Sequence, residues 1–198
     1  SSIAVWPSWP QACILPACRL AWAKWLCSVI GSASMSARRP TALGEVPLSS
    51  AREQLFSALR NGVGLFNYLG HGGLDRLAAE GLLTTLDVSL LDNDERLPVA
   101  ALMTCAAGQF AIPGFDSLAE ELVQAQGGAV AVWAPTGWAL NAHSRDLDEA
   151  FLRALHGSAQ GVLGDAIVPA QQSYAGQGKE SAVFDLFNLL GDPALVTR

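Results

Sequence analysis

The sequence of 198 residues is poor in charged residues and has no long uninterrupted apolar run. Only 15% of its residues are charged, whereas 51% are hydrophobic and the mean hydropathy is +0.28. This composition excludes a chain kept disordered by low hydrophobicity and high charge, and it predicts a large core. Residues 97–115 and 122–144 carry no charge, but proline and glutamine interrupt both stretches. Neither predicts a membrane span, which needs about 20 predominantly apolar residues.

Cysteine, histidine and basic residues are also scarce. Four cysteines are too few for a disulfide scaffold. Three of them, Cys13, Cys18 and Cys27, precede the first histidine of the chain, His71, so a zinc site among them has little support. Twelve basic against eighteen acidic residues give a net charge of −6, which argues against a nucleic-acid-binding surface. We therefore expect no metal, no organic cofactor and no nucleic-acid partner.

One acidic segment offers oxygen ligands of the kind that calcium prefers. It contains Asp87, Asp92, Asn93, Asp94 and Glu95. The spacing and the central glycine of an EF-hand loop are missing, however. The favoured interpretation is a solvated acidic loop.

The composition changes near residue 44. Residues 1–44 hold four of the six tryptophans and four basic residues, but no acidic residue. Residues 45–198 hold eight basic and eighteen acidic residues, a net charge of −10. We assign 1–44 as an atypical N-terminal segment without a clear period, and 45–198 as the domain. The upstream part of that domain is expected to be incomplete.

From residue 47 onward, helical and strand patterns alternate. Ser49 or Ser50 is expected to cap the first helix, and Ser117, with Glu120 three residues later, the second. The strand at 129–134 lacks polar alternation, which predicts a central strand buried on both faces, Val130 included. The alternation of helices with strands is typical of a three-layer α/β sandwich with a mainly parallel sheet. The predicted helices are 49–60, 117–125, 144–155 and 162–174, with a further short helix around 85–91, and the predicted strands are 63–69, 97–103 and 129–134.

Two chemically reactive residues each follow a predicted strand. His71 lies in a glycine-rich turn after the first strand, and Cys105 follows the second and precedes small residues. The carboxyl ends of parallel strands meet at one edge of a sheet, so both side chains are expected there. A lone cysteine at a strand end is usually a buried small hydrophobe. Paired with a histidine, it predicts a Cys/His dyad, with the Gly72 and Cys105 amides as oxyanion donors. Trp138, after the third strand, is a candidate wall of a substrate pocket or an ordinary packing residue.

Four separated motifs occur in an order that resembles the gingipain family of cysteine peptidases, in the caspase-like superfamily. They are NYLGHGG, ALMTCAAGQF, SLAEELVQAQGGAVAVWAPTG and FNLLGDPAL, which together cover about residues 50–198. The resemblance implies a caspase-like fold, His71 as the catalytic histidine and Cys105 as the nucleophile. It also implies hydrolysis of peptide bonds in a protein or peptide substrate, and a bacterial extracellular or cell-surface setting. The acidic group that assists the histidine in this family lies upstream and matches no residue here.

Two alternatives stay open at this point. Transfer of the acyl group from Cys105 to an amine instead of water would make the protein a sortase-like transpeptidase. If residues 1–44 replace strands that catalysis needs, the chain is a non-catalytic α/β interaction module.

Overall fold

A computed structural model describes residues 12–15, 27–31, 47–93, 95–158, 161–179 and 182–197. Its helices are α1 (Leu48–Asn61), α2 (Thr85–Val88), α3 (Leu118–Gln124), α4 (Asn141–Gly157), α5 (Leu163–Ala175) and α6 (Ala182–Leu186). Its strands are β1 (Ala12–Leu15), β2 (Cys27–Gly31), β3 (Val63–Leu69), β4 (Arg76–Leu77), β5 (Leu83–Thr84), β6 (Val99–Met103), β7 (Ala131–Pro135) and β8 (Phe187–Leu190).

The main sheet is mixed, with parallel strands at its centre. Its six strands follow the order β1-β2-β3-β6-β7-β8. The three central strands, β3, β6 and β7, run parallel, whereas β1, β2 and β8 extend the sheet by antiparallel pairing. A separate two-stranded sheet, β4-β5, lies in the connection between β3 and β6. The predicted α/β class is confirmed, and the parallel pairing belongs to the strands that precede the predicted site.

Helices cover both faces of this sheet, because alternate strand residues point to opposite sides. On one face, Phe66 of β3 packs in a cluster with α1 and α3, to which Leu55 and Leu118 contribute. On the other face, Leu65 shares a cluster with α4 and α5, to which Phe151 contributes. These two apolar clusters make the sheet the middle layer of three. Among the helices of the described ranges, none is long and apolar enough to cross a bilayer.

The two predicted helix caps have different outcomes. Ser117 does cap α3, since its Oγ accepts a hydrogen bond from the Glu120 amide at 3.4 Å. The Glu120 carboxylate in turn accepts one from the Ser117 amide at 2.8 Å, which completes the capping box. The cap at Ser49 or Ser50 is wrong. Helix α1 already begins at Leu48, after Pro47, and no side chain caps it.

The third central strand begins later than predicted. β7 starts at Ala131, and Val130 is 37% exposed. The Ala129 amide donates to the Leu122 carbonyl at 2.7 Å, so residue 129 still belongs to the turn that leaves α3, whereas the Val130 amide donates to the Pro98 carbonyl at 2.9 Å. The prediction that Val130 is buried on both sides is therefore wrong, whereas all five residues of β7 are buried.

The N-terminal segment, whose sequence shows no clear period, contributes two of the described strands. β1 pairs with β2, and β2 pairs with β3 in an antiparallel register that sets Ile30 opposite Leu65. The sheet therefore extends into the segment that precedes residue 45.

Candidate active site

The parallel pairing of β3 with β6 brings the predicted site residues to the same edge of the sheet. Leu69 lies opposite Met103 in the register, and the Gly70 amide donates to the Met103 carbonyl at 3.2 Å. His71 and Cys105 are each two residues beyond this matched pair. The expectation that these strands are parallel neighbours is confirmed. His71 and Cys105 are 34 positions apart in sequence, but they follow adjacent strands at equivalent positions.

Cys105 is a free, half-buried thiol at a sharp turn of the backbone. Its Sγ donates a hydrogen bond to the Ala139 carbonyl at 3.3 Å. The next residue, Ala106, has a φ of +53°, a left-handed conformation that is uncommon for a residue with a side chain. The Ala106 amide donates to the Gly137 carbonyl at 2.9 Å. The turn after β6 is thereby fixed to the segment that follows β7.

His71 combines an exposed side chain with a fixed backbone. Its carbonyl accepts hydrogen bonds from the Tyr68 hydroxyl at 2.6 Å and from the Ala78 amide at 2.8 Å. The Gly73 amide donates to the Arg76 carbonyl at 2.9 Å, which ties the same loop to the β4-β5 hairpin. The imidazole therefore projects from an ordered loop and remains accessible to a substrate.

The two amides predicted as oxyanion donors lie in these same turns. In the ranges that the structure describes, neither the Gly72 amide nor the Cys105 amide donates to a backbone carbonyl. An amide without an internal acceptor is available to a ligand oxygen. Both groups thus have the property that oxyanion binding requires.

Trp138 lies next to the turn that holds Cys105, with 87% of its surface exposed. The carbonyls on either side of it, those of Gly137 and Ala139, accept hydrogen bonds from Ala106 and Cys105. The backbone of Trp138 is therefore held beside Cys105 while its indole projects into solvent. Trp133 differs, since it is buried in β7 and packs against Phe151, with the two ring centroids 4.9 Å apart.

A buried polar pair lies on the α4 side of β3, and the sequence analysis did not single it out. Asn67 donates from Nδ2 to Asp148 Oδ2 at 3.2 Å. Burial raises the pKa of Asp148 to about 7, against an opposing effect of the Asn67 hydrogen bond. Asn67 Oδ1, Asp148 Oδ1 and Ser144 Oγ are buried without a hydrogen-bond partner among the described residues. The sequence carries a signal for the burial of Asp148, which shares a helical face with the buried Ser144 and Phe151, but none for its pairing with Asn67.

In the acidic segment Asp87 and Asn93 have structural contacts, whereas Asp92 and Glu95 are exposed. Asp87 is buried and accepts hydrogen bonds from Arg52 at 2.6 and 3.0 Å and from the Thr84 hydroxyl at 2.7 Å. Burial tends to raise the pKa of Asp87, but the bonds from Arg52 and Thr84 outweigh it and hold the pKa below the ordinary value. Asn93 is also buried and donates to the Gly128 carbonyl at 3.2 Å. Asp94 lies outside the described residues.

Metal ligation finds no support in the described ranges, which contain no cluster of three or more residues of the types that ligate metals. The side chains of Cys13, Cys18 and Cys27 lie outside the described residues, and the zinc alternative falls on them.

Comparison with solved structures shows the fold of this chain in known proteases. The complex of pro- and mature domains of RgpB from Porphyromonas gingivalis matches with a TM-score of 0.68 and 24% identity, over 74% of this chain and 37% of that one. The Arg-specific cysteine proteinase gingipain R matches with a TM-score of 0.63 and 23% identity, over 74% and 36%. Another protease structure gives a TM-score of 0.65 at 17% identity, over 71% and 37%. The chain therefore spans little more than a third of the structures that it resembles.

A family model matches more of the chain than the solved structures do. No curated protein is significantly similar to it. The family model of peptidase family C25, in contrast, matches residues 29–198, which begin within β2 and include every element after it. Since this match covers most of the sequence and agrees with the fold of the gingipain structures, the chain belongs to peptidase family C25, the gingipain family of cysteine peptidases.

Proposed function

We propose that the chain carries the reactive dyad of a cysteine endopeptidase, with Cys105 as the nucleophile and His71 as the general acid and base. The single observation that carries the proposal is the β3-β6 register, which leaves both residues two positions beyond one matched pair. Membership of a cysteine peptidase family supports the same assignment. The expected substrate is a protein or peptide, and the expected setting is extracellular or on the cell surface of a bacterium.

The reaction follows from the groups present at this edge. Cys105 Sγ attacks the carbonyl carbon of the peptide bond, and the thiol proton passes to His71. The Gly72 and Cys105 amides donate to the oxygen that gains negative charge. His71 then protonates the leaving amine as the C–N bond breaks, which leaves a thioester on Cys105. His71 next removes a proton from water, and the hydroxide attacks the thioester. The C–S bond then breaks, His71 returns the proton to Cys105 Sγ, and the acid product leaves.

The test of the dyad uses the reaction of Cys105 with iodoacetamide, followed by mass spectrometry of the peptide that contains it. A nearby imidazolium stabilises the thiolate, so His71→Ala is expected to slow alkylation at mildly acidic pH about tenfold or more. His156→Ala is the matched control, because it lies in the last turn of α4, about 22 Å along the helix from the end near Cys105. Equal rates for the wild-type protein and His71→Ala would contradict the dyad.

Cleavage of a peptide library tests the peptidase reaction itself. Cys105→Ala is expected to abolish any cleavage, because it removes the nucleophile and the thioester with it. Adding an amine acceptor separates the transpeptidase alternative, since that reaction joins the acyl product to the amine. A thiol that reacts no faster than an ordinary cysteine, together with no cleavage, would favour the non-catalytic module.

Trp138 is proposed as a wall of the substrate pocket. Its indole is exposed while its backbone is held beside Cys105, so truncation should remove substrate contact without disturbing the nucleophile. We expect Trp138→Ala to lower kcat/KM for peptides by about tenfold, the effect of losing a buried aromatic contact of roughly 1.4 kcal/mol. Alkylation of Cys105 by iodoacetamide, which is too small to need the pocket, should not change. Val168→Ala, an exposed apolar residue of α5, is the control. A loss of reactivity towards iodoacetamide as well would instead indicate a structural role.

A further inference from the structure

One steric contact joins the histidine loop to the nucleophile strand beyond the last hydrogen bond of the β3-β6 ladder. A Cβ on Gly72 would overlap Thr104 Oγ1 and would lie 3.2 Å from Thr104 Cγ2. On its other side the same Cβ would lie 3.0 Å from the Arg76 carbonyl oxygen. Gly72 does not have a positive φ, so space and not backbone conformation requires a glycine there. The Thr104 side chain occupies that space.

Hydrogen bonding does not explain why a threonine stands at this position. Thr104 is 1% exposed, and its Oγ1 has no hydrogen-bond partner among the described residues. A buried hydroxyl without a partner destabilises the folded state. The side chain therefore contributes through its shape, and the surface that its shape meets is the backbone of Gly72.

The neighbours of this contact are the groups of the proposed reaction. Gly72 directly follows His71, and Thr104 directly precedes Cys105. The hydrogen bonds to the His71 carbonyl come from Tyr68 of β3 and from Ala78 of the same connection, so they order the loop without tying it to β6. The contact between Gly72 and Thr104 does cross to β6. A shift of this contact would move the imidazole relative to the thiol.

We propose that Thr104 is a positioning residue, whose side chain packs against Gly72 and fixes the His71 loop relative to Cys105. This inference rests on the proposed function of the dyad. In this role Thr104 sets the distance and relative position of the two reactive side chains. It does the same for the Gly72 and Cys105 amides.

The experiment measures how strongly His71 accelerates alkylation of Cys105 by iodoacetamide across a pH series. The acceleration is the ratio of the alkylation rate with His71 present to the rate of the same protein carrying His71→Ala. Thr104→Ala is expected to lower this ratio about fivefold or more, within the range for coupled residues in contact. Thr104→Val, which keeps the shape and removes the hydroxyl, is expected to restore it. A residue with a merely structural role would change the melting temperature and leave the ratio and its pH profile unaltered.

A second pair of variants tests the contact from its other side. Gly72→Ala is expected to lower the ratio, because the new methyl group collides with the Thr104 side chain. Gly72→Ala combined with Thr104→Ala is expected to regain most of the wild-type ratio, because Oγ1 and Cγ2 are gone. Such recovery by two changes that are each harmful is the signature of direct coupling.

The outcomes distinguish this inference from the proposed function. If His71→Ala slows alkylation but Thr104→Ala and Gly72→Ala keep the wild-type ratio, the positioning role is overturned and the dyad stands. A double variant no better than Gly72→Ala alone also overturns it. If His71→Ala has no effect in the wild-type protein, the dyad fails and the inference fails with it. Should Thr104→Ala not fold, Thr104→Ser, which lacks only the methyl group, replaces it in the same series.

Discussion

Replacing Val132 by aspartate is expected to prevent the chain from folding, whereas the same replacement at Val130 is expected to be tolerated. Val132 is fully buried in β7, and Val130, two residues earlier, is 37% exposed. An unpaired carboxylate in the core costs several kcal/mol, a large part of the roughly 5–15 kcal/mol by which domains are stable. At Val130 the carboxylate stays hydrated, so the change in the free energy of unfolding should stay within about 1 kcal/mol.

Soluble yield and thermal melting check this pair. Val132→Asp should accumulate as insoluble protein, and Val130→Asp should melt within a few degrees of the wild-type chain. Val132→Ala, which leaves a small cavity but no charge, should fold with a lower melting temperature. Soluble, normally melting Val132→Asp would mean that β7 does not lie at the centre of the sheet.

Asp148→Asn is expected to stabilise the protein at pH 8 and to leave its stability at pH 4 nearly unchanged. Burial raises the pKa of Asp148 from the ordinary 3.8 to about 7 in the folded state. A raised pKa favours the folded state while the group is protonated, and this contribution is lost as the pH rises from about 4 through 7. The difference between the two pKa values corresponds to about 4 kcal/mol of unfolding free energy. Asparagine has nearly the same shape and carries no charge at either pH. The free energy of unfolding of Asp148→Asn should therefore not show this loss as the pH rises.

Denaturant unfolding of wild-type protein and Asp148→Asn between pH 4 and 8 measures the effect. The two curves should coincide near pH 4 and separate towards pH 8. Asp146→Asn is the matched control on the same helix. The hydrogen bond from Lys179 holds the pKa of Asp146 below its ordinary value, so its loss should slightly destabilise the protein at neutral pH, by about 0.5–1 kcal/mol. Parallel curves for wild type and Asp148→Asn would show that the carboxylate is not desolvated.

Local patterns predicted the three parallel strands β3, β6 and β7 and the helices that flank them, but not β1 and β2, and the pairing of the parallel strands followed from a general rule of α/β sheets. The Gly-His-Gly and Thr-Cys turns lie where apolar runs end, which was enough to expect them at one edge. The start of β7 was predicted two residues early because alanine and valine occur in the turn as well as in the strand, and the bond from the Ala129 amide to the Leu122 carbonyl, which keeps residue 129 in the turn, has no sequence signal. The cap predicted at Ser49 or Ser50 is wrong because both serines lie inside α1, whose N-cap residue is Pro47 and has no side-chain acceptor.

The features of the site that escaped prediction depend on contacts between distant residues. The pairing of Asn67 with Asp148 joins a strand to a helix 81 positions later, and no local period reveals it. The fit of Thr104 against Gly72 is likewise invisible in sequence, since a threonine before a cysteine has no propensity that indicates a partner. The roles of His71, Gly72, Cys105 and Trp138 remain predictions that the experiments above address.

The β3-β6 pairing also determines the stage of folding at which His71 and Cys105 come together. A parallel pair cannot be joined by a tight turn, and here the chain must close a connection from Leu69 to Val99 before the first bond between the strands can form. Such non-local contacts form slowly compared with helices and hairpins. An emerging chain therefore carries His71 and Cys105 as two unrelated residues until the central sheet is assembled. The proposed Cys/His dyad is thus absent during the stage at which the backbone of the chain itself is most open to cleavage.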